Sequence, residues 1–362
     1  ASTRISPQRL AVVQRNLVLS HACGVGEPLA AQEARAILFL RLNELSRGCS
    51  GVRPVLVRHL SKMLNAGITP LIPSRGSVGA SGDLAPQAHL ALAVIGEGDV
   101  LYRGRRVPAV AALKRAGLKP FVLAEKEGLS LLNGTQAMQA VGGLALLSAR
   151  RVYEATQLAC AMSLDALTGT PAPYDEAVSR LKPHPGQISA ARGLRRLLAG
   201  SEIRRSHISG DTRVQDSYSL RCAPQVHGAV LDRLDEARCI VEVELGSVTD
   251  NPLVVDGRVL SGGNFHGQAL SFAFDSAAGA LTALANVSER RTFQVTAGIA
   301  PRLKPFLSRD PGVESGYMIA QYVAAALASE NKTLAHPASA DSVPTSANKE
   351  DFVSMGMWSA LK

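Results

Sequence analysis

Aromatic side chains are scarce, 4% of 362 residues, with Trp358 the single tryptophan. Surfaces that stack bases or grip sugars usually need more rings, so those functions start weakly supported. The five cysteines, at 23, 49, 160, 222 and 239, are odd in number and scattered, with no C-x-x-C. That argues against a disulfide framework or a zinc ribbon and for a reducing, cytoplasmic setting. No charged-then-apolar leader opens the sequence. The longest apolar stretches, such as 137–147 and 323–328, are interrupted or bounded by polar residues well short of a membrane span. The N-x-[ST] matches at Asn133, Asn286 and Asn331 read as chance without a secretion signal.

What is present is a globular composition, 46% hydrophobic and 19% charged, with ample material for a core. The length suits one large domain or two ordinary ones. Net charge is +9, but the basic clusters at 103–106, 150–151 and 204–205 are small and dispersed. A solvated basic surface explains them better than a nucleic-acid site.

Apolar residues recur at three- and four-residue spacing over 8–22, 29–45, 54–65 and 86–95, which predicts helices. A very long helix is expected over about 135–167, with Gly142-Gly143 its one weak point. Further helices are expected at 188–198, 224–246, 266–295, 316–334 and from 345 onward. Strand signals are few. Residues 101–107 suggest a short hairpin, and 253–260 a second, turned at Asp256-Gly257. Strands and helices do not alternate, so a doubly wound sheet or a barrel is excluded. The expected class is mainly α, an elongated bundle of long helices in one domain with a few short hairpins.

The least ordinary segment is Gly76-Ser77-Val78-Gly79-Ala80-Ser81-Gly82-Asp83-Leu84-Ala85-Pro86. A phosphate loop would want Lys followed by Ser or Thr, and a serine elbow would want Gly at position 83. A plain helix entry, with Asp83 as N-cap, remains open. So does a third reading, in which the backbone is the reagent. Gly82 has no Cβ, so its nitrogen can approach the Ala80 carbonyl and close a five-membered ring. Loss of water from Ser81 would then leave an exocyclic methylidene, beside a helix N-terminus that favours negative charge.

Residues 76–89 resemble the signature of the aromatic amino-acid lyases, the histidine, phenylalanine and tyrosine ammonia-lyases with their aminomutase relatives. Leu131-Leu132-Asn133-Gly134-Thr135, Asp216-Ser217-Tyr218-Ser219-Leu220-Arg221-Cys222, Thr249-Asp250-Asn251-Pro252, Gly262-Gly263-Asn264-Phe265-His266 and Thr345-Ser346-Ala347-Asn348 match in order, across essentially the whole chain. The resemblance implies the fumarase/aspartase-like helical fold. It implies that Ala80, Ser81 and Gly82 form 4-methylideneimidazol-5-one (MIO) without an external cofactor or metal. It also implies a homotetramer whose active sites draw on three subunits, so that Tyr218 and Arg221 serve an electrophile on a different chain.

Gln215, Tyr218 and Arg221 fall at i, i+3 and i+6, a shared face in a helical turn. By resemblance Arg221 grips the substrate α-carboxylate, Tyr218 lies near the electrophile and Gln215 completes a polar wall. Asn133 and Phe265 line the same pocket, while an Asn-Gly turn and a core phenylalanine are their plainer readings. The Ser20-His21 pair matches the histidine-cleaving branch, and Glu350 suits an imidazole where a benzene ring would leave it unpaired. Asn331 and His336 resemble that branch too. Two positions depart from it: Lys349 stands in place of a glutamine and Phe352 in place of a histidine. The expected reaction is conversion of L-histidine to trans-urocanate and ammonia, in histidine catabolism. Tyrosine or phenylalanine elimination and a 2,3-aminomutase stay open, as does a catalytically inactive helical scaffold. A metalloenzyme is disfavoured, since the eight histidines show no H-E-x-x-H. Family members begin several dozen residues before Ala1, where a tyrosine serves as base, and continue past Lys362. Residues 1–362 are therefore expected to be one lyase core lacking both ends of the family domain.

Overall fold

The computed structural model describes residues 6, 9–211, 213–300 and 303–362. The chain divides into two compact units. The first comprises 1–145, 239–274 and 337–361, and the second 146–238, 275–336 and 362.

The elements of the first unit begin with α1 (Leu10–His21), β1 (Val25–Pro28), α2 (Ala31–Leu45) and α3 (Pro54–Asn65). They continue through β2 (Thr69–Pro70), β3 (Pro73–Arg75), α4 (Leu84–Val94), β4 (Asp99–Tyr102), β5 (Arg105–Pro108), α5 (Ala109–Arg115) and α6 (Glu127–Leu132). The helix expected from position 8 starts at Leu10; position 8 itself lies outside the described residues. Pro54 at the first turn of α3 needs no N–H partner, which sets that helix start. The predicted hairpin at 101–107 is β4–β5, extended by β2 into a three-stranded antiparallel sheet. β1 and β3 form a second, two-stranded pairing. Ile37, Leu38, Leu56, Leu60, Met63 and Leu90 are fully buried, and α1, α4 and α6 pack against one another.

Three long helices supply residues to both units: α7 (Gln136–Ala166), α12 (Ala223–Leu245) and α13 (Gln268–Thr296). Before α12 come α8 (Glu176–Leu181), α9 (Pro185–Leu198), α10 (Glu202–Arg205) and α11 (Tyr218–Arg221). Asp175 caps α8 by accepting from the Ala177 amide at 2.7 Å. The core of the second unit gathers Cys160, Leu164, Tyr174, Leu194, Leu220 and Ala223. Returning to the first unit, β6 (Leu253–Val255) and β7 (Arg258–Leu260) form the second predicted hairpin. Asp256 and Gly257 both have positive φ, 50° and 73°, as a type I′ turn requires. α14 (Met318–Leu334) and α15 (Gly356–Leu361) complete the set.

α13 is long and apolar enough to cross a membrane, which the sequence reading had not anticipated. Its Asp275, Glu289 and Arg291 are buried, which suits a helix in a protein core. The helix expected from 345 corrects to a loop, because Ser346, Ala347 and Asn348 take φ of 51°, 55° and 64°. Helix resumes only at Gly356.

Candidate active site

The tripeptide sits in a turn just before α4. Ser81 and Gly82 have φ of 52° and 78°, and a Cβ on Gly82 would lie 2.1 Å from the Gly134 carbonyl oxygen. Only glycine fits there, for conformation and for space. The Gly134 amide donates to the Ser81 carbonyl at 3.2 Å, and the Asp83 amide donates to the Gly134 carbonyl at 2.8 Å. These two bonds bracket Gly82. On the other side, Ala80 packs against a small cluster of Ala338, Val353 and Met355.

Asp83 occupies the N-cap position of α4, but its carboxylate does not cap that helix. It accepts from Ser77 Oγ and from the Met138 amide near the start of α7, both at 2.8 Å. Burial pushes its pKa up to about 6 against the lowering effect of those bonds and of Arg41. Thr135, just before α7, has its hydroxyl engaged with the side chains of Glu244 (2.7 Å) and Gln139 (2.8 Å).

Glu350 reaches the tripeptide. Its Oε1 accepts from Ser81 Oγ at 3.0 Å, while Oε2 accepts from Thr345 Oγ at 2.9 Å and Ser346 Oγ at 2.7 Å. Burial alone would raise the Glu350 pKa. The bonds from Ser346, Thr345 and Ser81, with the nearby His21, outweigh it and hold the carboxyl below its ordinary value. The hydroxyl cradle explains the 345–350 loop, whose ends close in mutual backbone bonds between Thr345 and Glu350. Lys349 is exposed and, among the described residues, makes no ion pair with Glu350.

His21 ends α1, with its Nδ1 3.0 Å from Ser20 Oγ. Both residues line a cavity of about 190 Å³ together with Cys23, Ser77, Ala80 and Gly82. Cys23 and the Thr345–Ser346 cradle were not singled out as site residues from the sequence. The Thr345-Ser346-Ala347-Asn348 motif is visible in the sequence, but the hydrogen bonds of its two hydroxyls to Glu350 are not.

Asn133 is buried beside Gly134; its amide donates to the Asn251 carbonyl at 3.0 Å and faces Asp250 Oδ1 at 3.4 Å. Asn251 Oδ1 in turn accepts from the Gly262 amide at 2.7 Å, which ties down the turn carrying half-buried Phe265. Phe352, the departure at that position, stacks on His266 with ring centres 5.9 Å apart.

Gln215, Tyr218 and Arg221 form a group of their own in the second unit. Arg221 Nη1 donates to Gln215 Oε1, and Tyr218 is well exposed on the single turn of α11. From beneath, the Ser219 carbonyl accepts from Arg291 at 3.0 Å and the Leu220 carbonyl from the Tyr174 hydroxyl at 2.8 Å. A side-chain amide, a phenol and a guanidinium thus stand on one short, anchored segment. In the first unit a carboxylate and an imidazole stand beside a strained Ala-Ser-Gly turn. The segment of the second unit can bind a carboxylate through its guanidinium, and the turn of the first can undergo chemistry of its own.

Residues 1–362 match the model of the aromatic amino acid lyase family. Histidine ammonia-lyase of Stigmatella aurantiaca is 53% identical over 364 residues, spanning 100% of this chain and 71% of that relative. The crystal structure of histidine ammonia-lyase from Trypanosoma cruzi superposes with a TM-score of 0.92 at 44% identity, over 99% of this chain and 68% of that one. Tyrosine aminomutase from Streptomyces globisporus also reaches a TM-score of 0.92, at 40% identity, over 99% and 71% of the two chains. The chain belongs to the aromatic amino acid lyase family.

Proposed function

We propose that this chain is a carbon–nitrogen lyase that converts L-histidine to trans-urocanate and ammonia. The observation that carries the reading is the contact of Glu350 with Ser81, with His21 close by. An ionised carboxylate and an imidazole beside the reactive turn suit a ring that offers both a donor and an acceptor. A phenyl ring would offer that half-buried carboxylate no hydrogen-bond donor.

Ala80, Ser81 and Gly82 fit formation of MIO. The Gly82 nitrogen would bond to the Ala80 carbonyl carbon, whose oxygen leaves as water with the protons of the Gly82 and Ser81 amides. Ser81 then loses its Cα hydrogen and its hydroxyl as a second water, which needs no oxidant. The positive φ at Gly82 and the missing Cβ support such a closure. When present, the group supplies an electrophile that makes the amine a better leaving group.

The remaining residues bind and orient. Arg221 would hold the α-carboxylate through its planar fork, kept in place by Gln215. Tyr218, Asn133 and Phe265 would wall the pocket around the amino group and ring. We infer a homotetramer in which Tyr218 and Arg221 serve the tripeptide of another copy, and a cytoplasmic setting in which the five free cysteines stay reduced.

A substrate panel followed by ultraviolet absorbance tests the reading. L-histidine should be consumed without added cofactor, and Ser81→Ala should fall to near background and never lose the second water from its mass. Turnover of tyrosine or phenylalanine but not histidine would defeat the role given to His21 and Glu350. Accumulation of a β-amino acid would instead favour a 2,3-aminomutase.

A further inference from the structure

We propose that Arg41 and Gln87 are positioning residues for ring formation, because together they fix the Gly134 peptide that brackets Gly82. The proposal rests on the reading that Ala80-Ser81-Gly82 cyclises.

Arg41, on α2, has no exposed surface. Burial lowers its pKa despite the nearby Glu44, Asp250 and Asp83. Its ion pair with Glu44, at 3.4 Å, is long, and buried pairs seldom add stability over apolar packing. The geometry gives the guanidinium another task. Nη1 donates to the Ser130 carbonyl at 3.0 Å and Nη2 to the Asn133 carbonyl at 2.7 Å. Ser130 lies in the last turn of α6 and Asn133 is the next residue after it, so both carbonyls lack partners along the helix. One planar fork satisfies both and so fixes the direction in which the chain leaves α6 into Gly134.

Gln87, on α4, has no exposed surface either and completes the link. Its Oε1 accepts from Arg41 Nε at 2.8 Å, and its Nε2 donates to the Gly134 carbonyl at 2.8 Å. The Gly134 peptide then holds the Ser81 carbonyl on one side of Gly82 and the Asp83 amide on the other. Ring closure requires the Gly82 nitrogen to meet the Ala80 carbonyl carbon. Holding the residues on both sides of Gly82 removes rotations that the reaction would otherwise have to freeze. Arg41 and Gln87 touch none of the reacting atoms; they act through Gly134.

Full-length chain made by cell-free translation, sampled over time and weighed intact, reports the share that has lost two waters. Arg41→Lys keeps the charge opposite Glu44 but cannot span two carbonyls. Gln87→Met keeps the volume but breaks the link to Gly134. Both should fold, by circular dichroism and melting temperature, yet lose water roughly ten-fold more slowly than wild type or slower still. Folded variants that mature at the wild-type rate would overturn the proposal. Should Arg41→Lys fail to fold, Gln87→Met decides alone on the same criterion. Wild type that never loses two waters would strike down the cyclisation reading itself, and the proposal with it. Normal maturation in wild type and variants alike removes only the role of Arg41 and Gln87.

Discussion

His227 has no exposed surface and accepts a hydrogen bond from Arg291 through Nε2, 3.2 Å away, which places its proton on Nδ1. Burial first, and the Arg291 charge second, push its pKa down to about 3. In the unfolded chain an ordinary histidine titrates near 6.5. Between those two values the unfolded state binds the extra proton and the folded state does not. The contribution of His227 is therefore complete above pH about 6.5 and is lost as the pH falls toward about 3. At full extent the loss is on the order of 5 kcal/mol. His227→Gln retains an acceptor for Arg291 and cannot titrate. Its melting temperature should fall less steeply than that of wild type between pH 6.5 and 4, measured by calorimetry across that range. Parallel profiles would mean that His227 charges in the folded state at little cost.

At the scale of elements, α7 runs unbroken through Gly142-Gly143, the position read from the sequence as its weak point. The two glycines have different reasons to be there. A Cβ on Gly142 would lie 2.1–2.5 Å from ring atoms of Phe274, whereas one on Gly143 would meet only Val241, at 3.6 Å. Gly142→Ala should cost about 1–3 kcal/mol by overpacking, less the helix-propensity gain. Gly143→Ala should stabilise by up to about 1 kcal/mol from propensity alone. Urea midpoints of the two variants should therefore move in opposite directions. The long helices and both hairpins were legible because a period of 3.6, or the Arg103-Gly104 and Asp256-Gly257 turns, is written locally. The helical turn expected over 215–221 is present only as α11, from Tyr218, with Gln215 outside it, and what holds it is the pair of bonds from Arg291 and Tyr174, residues distant in sequence. β1 is exposed along its length, so its pairing with β3 left no alternating pattern to read. The 345 segment failed as a helix for a related reason. Thr345 and Ser346 turn their hydroxyls to Glu350, and side-chain bonds of that kind compete with helix.

For the molecule as a whole, the sequence named the reactive tripeptide, Glu350 and the Arg221 segment, but not the network around Arg41, whose members lie on α2, on α4 and at the end of α6. The sequence also could not say which apolar faces stay open. On α14 the side chains of Ile319, Tyr322, Val323 and Leu327 are all exposed, at helical spacing along one stripe. Single exposed apolar residues are ordinary, whereas an aligned row of four asks for a covering partner. The proposed homotetramer would supply one, and light scattering should then give about four times the 38.0 kDa chain mass. Charges placed in the stripe, as in Tyr322→Glu with Leu327→Glu, should dissociate it. The tripeptide, Gly134, Arg41 and Gln87 all lie in the first unit of one chain. The dissociated variant should therefore still lose two waters, while turnover of L-histidine collapses because Arg221 is no longer delivered to a neighbour's tripeptide. A dissociated variant that keeps full turnover would show that each chain builds its site alone, and a wild-type mass of one chain would remove the tetramer altogether.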